Sequence, residues 1–117
     1  MGETAKPEGA DDHLIFDKDV PVPVSDGLVL RANVFRPKAP GRYPVVMAMG
    51  IYGKDAHFGD AFKAQWDNLL RIYPDLCANG STGHYLRWEN VDPERWVPDG
   101  YVVVTVDSRG SGKSPGY

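Results

Sequence analysis

A chain of 117 residues that is 42% hydrophobic and 25% charged carries enough apolar material for one modest core. Its 13 basic and 16 acidic residues give a formal charge of −3 with no basic cluster, which argues against nucleic acid or an anionic membrane as a partner. No run approaches the roughly 20 apolar residues of a membrane span, and the lone Cys77 has no internal disulfide partner, so a cytoplasmic location is expected.

Met1 to Asp12 is polar, acidic and rich in Gly, Pro and Ala, without the apolar run of a signal peptide, and residues 1–13 read as a disordered lead-in. Order is expected from Leu14. Val20-Pro-Val-Pro-Val24, the turn signal Asp26-Gly27 and then Leu28 to Arg36 predict a β-hairpin. In its second strand Leu28, Leu30, Ala32 and Val34 alternate with Val29, Arg31, Asn33 and Phe35, a pattern that predicts one face more buried than the other. Pro21 and Pro23 put the first strand at a sheet edge, where a missing N–H does least harm.

After the Pro37 to Pro44 loop, Val45-Val-Met-Ala-Met49 is a continuous apolar run that predicts an interior strand covered on both faces, ended by Gly50. Phe62, Trp66, Leu69, Leu70 and Tyr73 follow at helical spacing, predicting one helix from Asp60, its cap, to the stop at Pro74, with the aromatics as core contacts. Pro74 to Asn90 is irregular and long for a plain connection, the kind of loop that often lines a site. Within it Asn79-Gly80-Ser81 matches a glycosylation acceptor but reads as a turn. Asp92-Pro93-Glu94 opens a short helix with Trp96 and Val97 facing inward, and Gly100 releases the chain into the strand Tyr101 to Val106.

Hairpin, strand, helical crossover and strand specify an α/β layered sheet with a right-handed crossover. In such sheets chemistry gathers beyond the carboxyl ends of the strands, here Gly50 to Asp55 and Asp107 to Tyr117. The second loop holds two decoys. Gly112-Lys113-Ser114 matches the back half of a phosphate loop, G-x-x-x-x-G-K-S/T, but where the leading glycine belongs stands Asp107, whose carboxylate would repel a phosphate. Gly112-Lys-Ser-Pro-Gly116 satisfies G-x-S-x-G, yet Pro115 after the serine has no N–H for an oxyanion hole, so Ser114 reads as a turn residue. His13, His57, His84 and Cys77 match no compact zinc spacing, and a lone loop cysteine is a poor nucleophile candidate; no metal or cofactor is expected.

The run Asp19 to Pro37, Tyr43-Pro44 with its apolar strand, Tyr52-Gly53-Lys54, Trp96 to Tyr101 and Asp107 to Ser114 together resemble the N-terminal part of the X-Pro dipeptidyl-peptidase and cocaine-esterase-like (CocE/NonD) α/β-hydrolases. The resemblance implies an incomplete α/β-hydrolase sheet over residues 14–117: an antiparallel hairpin, then two parallel strands with a helical crossover. It implies a serine hydrolase of esterase or dipeptidyl-peptidase type, acting on an ester or peptide substrate through a Ser-Asp-His triad. Tyr52 is the position that matches the family's oxyanion-hole tyrosine. Asp107, Arg109 and the neighbouring glycines would shape a turn, and Lys54, Asp55 and His57 are expected in a solvated loop.

None of the triad is expected in this chain, since the family's nucleophile elbow follows a fifth strand. The 117 residues are therefore expected to be a fragment, inactive alone. The family's strand order would leave Val45–Met49 as an open apolar edge, a route to self-association or to a non-catalytic pairing role.

Overall fold

The computed structural model describes residues 14–116; the expected lead-in over residues 1–13 and Tyr117 lie outside them. The sheet has four strands, β1 (Ile15–Pro23), β2 (Val29–Arg36), β3 (Val45–Gly50) and β4 (Val102–Asp107), in the order β1-β2-β4-β3. β1 and β4 flank β2 antiparallel, and β3 runs parallel to β4. Between β3 and β4 lie α1 (Phe58–Ala61), α2 (Lys63–Ile72), α3 (Pro93–Trp96) and a 3-10 turn over Val97–Asp99.

The Asp26-Gly27 turn forms as predicted. Gly27 takes the left-handed conformation at φ 92°, and the Asp26 carboxylate accepts the Leu28 N–H at 3.2 Å. β1 begins five residues earlier than its Val-Pro run suggested, at Ile15, because a bulge between Asp17 and Val20 restores pairing upstream. Asp19 sits in that bulge at φ 56°, a conformation aspartate tolerates. The edge position expected from Pro21 and Pro23 is where β1 lies.

β2 is buried on both faces, not mainly on one. Leu30 and Ala32 pack with Val106 on one side of the sheet, while Phe35 packs with Leu14, Tyr85, Val97 and Val103 on the other. The second side is organised by rings: Phe16 stacks on Phe35 at 4.6 Å, and Tyr85 meets Phe35 edge-on at 4.9 Å. The alternation rule failed because Leu14, Tyr85 and Val97 cover the Phe35 face while Val22, Val24 and Val104 close around Leu30 and Ala32 on the other.

β3 departs from its predicted interior place. It pairs only with β4, and Val45, Met47 and Met49 are each more than half exposed. An apolar run records what a strand is suited to bury against, not whether these residues supply the cover. The open edge implied by the family's strand order is what the sheet has.

The predicted helix over residues 60–73 is two. His57, not Asp60, caps α1, its Nδ1 accepting the Gly59 N–H at 2.9 Å, and Phe62 breaks the helical path at φ −136° before α2 begins. Tyr73 closes α2 ahead of Pro74, as the sequence indicated. No α2 residue is fully buried. Its Trp66 instead joins Phe58 of α1, Phe62 between the two helices and Trp88 in a half-buried cluster in which Phe62 stacks on Trp88 at 4.4 Å. Asp92 caps α3 through the Glu94 N–H at 3.1 Å; Val97 points inward as predicted, whereas Trp96 lies outward against Tyr101.

Candidate functional site

The last paired residues of the parallel ladder are Gly50 and Asp107, and the Ser108 N–H extends it to the Gly50 carbonyl at 3.0 Å. Beyond them the two chains separate and open a cleft of about 320 Å³, lined by residues 48–54, 88–90 and 105–108. Tyr52 stands at its rim. The residue is 49% exposed, its ring meets Phe62 edge-on at 5.7 Å, and its hydroxyl has no hydrogen-bond partner among the described residues.

The backbone around Tyr52 is fastened on both sides. Ser111 Oγ donates to the Ile51 carbonyl at 3.1 Å, the Lys54 N–H donates to Asp107 Oδ1 at 2.7 Å, and Arg87 Nε donates to the Lys54 carbonyl at 2.8 Å. Gly53, at φ 89°, supplies the turn between these anchors. The arrangement is a rigid carrier with a free phenol.

Lys54 corrects the expectation of a solvated loop. Its side chain is 1% exposed, and its ammonium lies 2.5 Å from Asp19, 3.0 Å from Asp55 and 3.9 Å from Asp107. Asn33, buried in β2, donates to Asp55 at 3.0 Å and accepts the Asp19 N–H at 3.2 Å. A second cation, Lys113, approaches Asp19 and Asp55 from the surface at 3.6 and 3.7 Å. Burial opposes the Lys54 charge, but hydrogen bonds to Asp19 and Asp55 outweigh it and hold the ammonium above the usual lysine pKa. The same hydrogen bond from Lys54 holds Asp19 below the usual carboxylate range. Asp55 is also lowered, with bonds from Asn33 and Lys54 overcoming its burial.

His57 is half-buried and serves the fold. With Nδ1 accepting from Gly59, the ring proton sits on Nε2 and is donated to the Gly83 carbonyl at 2.7 Å, so His57 joins α1 to the 74–90 loop. Cys77 packs against Gly83, where a Cβ would fall 2.3 Å from its sulfur. Burial, then the Asp92 carboxylate, push its thiol pKa up, opposite to an activated thiolate.

Both decoys in the last loop dissolve in its hydrogen bonds. The Asp107 carboxylate accepts the Lys113 N–H at 2.9 Å, taking a donor that a phosphate loop would offer its ligand. Gly112 leaves it room: a Cβ there would lie 2.2 Å from Asp107 Oδ2. Ser114 is buried, donates to the Asp107 carbonyl at 2.7 Å and accepts the Arg31 N–H at 2.9 Å, a staple between loop and β2.

Sequence reasoning pointed to the loop holding Tyr52, which lines the cleft, but missed that Asp19 and Asn33 join it and that Lys54 is buried. One signal was available. Asn33 is an amide flanked by Ala32, Val34 and Phe35 in a strand, and a buried amide needs partners.

A four-stranded mixed sheet with few helices, its loops gathered at the carboxyl ends of two parallel strands, is the N-terminal architecture of the CocE/NonD hydrolases. The family model for X-Pro dipeptidyl-peptidase (S15 family) matches residues 26–117, and the chain belongs to that family. A CocE/NonD family hydrolase from Staphylococcus aureus is 40% identical, with a TM-score of 0.66 over 86% of this chain and 16% of its own. An α-amino acid ester hydrolase (21% identity, TM-score 0.57, covering 98% of this chain and 15% of its own) shares the fold. So does an aminopeptidase from a marine sediment Thaumarchaeota archaeon (20% identity, TM-score 0.56, covering 99% and 16%). This chain thus spans about a sixth of the length of these structures. No curated protein matches it.

Proposed function

We propose that residues 14–117 form the N-terminal part of a serine hydrolase acting on ester or amide bonds, X-Pro peptides among them, with the Tyr52 hydroxyl as one donor of its oxyanion hole. The observation that carries this reading is the unpartnered phenol at the cleft rim, on a loop fastened at Ile51 and Lys54. A pre-positioned donor needs no reorganisation when negative charge develops on the substrate oxygen, and one such donor is worth about 3 kcal/mol of transition-state stabilisation. The nucleophile, acid and histidine of the triad would come from residues beyond this chain, which alone would not turn over substrate. A cytoplasmic location is a separate part of the proposal.

The test has two parts. Coding sequence downstream of Tyr117 is expected to continue into G-x-S-x-G followed by Asp and His. In the protein so encoded, Tyr52→Phe is expected to lower kcat roughly 100-fold with little change in folding; unchanged turnover would remove Tyr52 from the oxyanion hole. A second reading, a non-catalytic module that pairs through its sheet edge, is favoured by the exposed row Val45, Met47 and Met49 on β3. Native expression ending at Tyr117 would support it. Rapid hydrolysis of a p-nitrophenyl ester by the 117-residue chain, blocked by a serine reagent, would exclude both an inactive fragment and a non-catalytic module.

A further inference from the structure

Resting on the Tyr52 reading, we infer that Asp107 is the positioning residue of the oxyanion donor: from the end of β4 its carboxylate sets where the β3 loop holds the phenol. The parallel ladder fixes Gly50 against Asp107, and after that pair main-chain bonding between the strands gives way to the Ser108 to Gly50 bond alone. What holds the Tyr52 loop from there is side-chain chemistry from the β4 side. Asp107 Oδ1 accepts the Lys54 N–H, and Ser111, four residues further along the same loop, donates its hydroxyl to the Ile51 carbonyl. Among the described residues one aromatic ring, Phe62, meets the Tyr52 ring, so the anchored loop backbone sets where the side chain starts and that contact limits where its hydroxyl swings.

Asp107 is suited to this by charge and by geometry. Its two oxygens accept two different main-chain N–H groups, Lys54 at 2.7 Å and Lys113 at 2.9 Å, so one carboxylate ties the loop after β3 to the loop after β4. An asparagine offers a single acceptor oxygen and would present its own N–H groups to one of those donors. The Asp107 side chain is 1% exposed and lies 3.9 Å from the buried Lys54 ammonium. Gly112, with room for no Cβ beside Oδ2, is the matching half of the device.

The experiment labels tyrosines with 3-fluorotyrosine and follows the Tyr52 resonance by ¹⁹F NMR in the chain itself, with Tyr43 and Tyr101 as internal controls. Asp107→Asn should move the Tyr52 signal toward its unfolded-chain position while the controls stay in place. Because Asp107 is buried, Ser111→Ala provides a second variant that spares the core; it should move the same signal in the same direction by a smaller amount. In the active hydrolase both variants should lower kcat, Asp107→Asn by roughly tenfold, with KM held, and neither should add to the loss in a Tyr52→Phe background. An unmoved Tyr52 signal in both variants, or equal kcat losses with and without the phenol, overturns the inference. Failure of the Tyr52 reading shows separately, as a Tyr52→Phe enzyme with undiminished kcat.

Discussion

The ammonium of Lys54 meets the carboxylate of Asp19 at 2.5 Å, joining the loop after β3 to the bulge of β1 beneath a surface that leaves the lysine side chain 1% exposed. Asp55 and Asp107 complete its shell, so one buried cation is shared by three carboxylates. Lys54→Met should destabilise the fold by about 2–3 kcal/mol, because the buried Asp107 carboxylate loses its cation while Asp19 and Asp55, about a third exposed, keep Lys113 nearby. Urea unfolding followed by tryptophan fluorescence measures this directly. A loss below about 1 kcal/mol would mean that the cluster is solvated in solution.

The same cluster sets the pH dependence. Asp19 and Asp55 titrate below the usual carboxylate value in the folded chain, so their contribution is complete above roughly pH 4 and is lost as pH falls through their folded values. Asp26 acts in the same sense through the Leu28 N–H. Lys54 is raised, so its contribution holds below roughly pH 10 and is lost as pH climbs through its folded value. Glu94 works the other way: burial pushes its pKa up, so acidification neutralises it first in the folded state and offsets part of the acid loss. The urea midpoint should be flat around neutrality and fall on both sides, and Lys54→Met should flatten both limbs. Unchanged limbs in that variant would assign the pH dependence elsewhere.

This cluster also marks where sequence reasoning ran out. The hairpin was readable because Asp26-Gly27 specifies its own turn, and α3 because Asp92-Pro93 specifies its own start. Each signal is local. Lys54 gave no such signal: Asp19 and Asp107, 35 and 53 residues away from it, reach it only through a bulge and a parallel register that no periodicity encodes. The split at Phe62 was hidden similarly, since the aromatics keep helical spacing across the break while their contacts run to Trp88 and Tyr52. Tyr52 was singled out through a family motif, not through its own spacing.

Ser114 offers a direct check on the G-x-S-x-G decoy. Its hydroxyl hydrogen is committed to the Asp107 carbonyl and its oxygen to the Arg31 N–H, so it has neither a base nor access. Ser114→Ala should cost about 1–3 kcal/mol by orphaning the Arg31 donor. Mass spectrometry after treatment of the 117-residue chain with a fluorophosphonate should find Ser114 unmodified. Stoichiometric labelling there would restore it as a nucleophile.

The outer edge of β3 carries the last prediction. Met47 is 60% exposed, flanked on the same face by Val45 and Met49, and the strand's outer N–H and C=O groups have no β partner among the described residues. An apolar, unpaired edge of this kind pairs with whatever strand it meets, and another copy is always at hand. Sedimentation velocity of the 117-residue chain should show association growing with concentration in the micromolar to millimolar range. Met47→Lys puts a charge in the middle of the face at a position 60% exposed, so it should hold the chain monomeric while changing the urea midpoint little. A wild-type chain that stays monomeric across that range would show that the edge is shielded in solution.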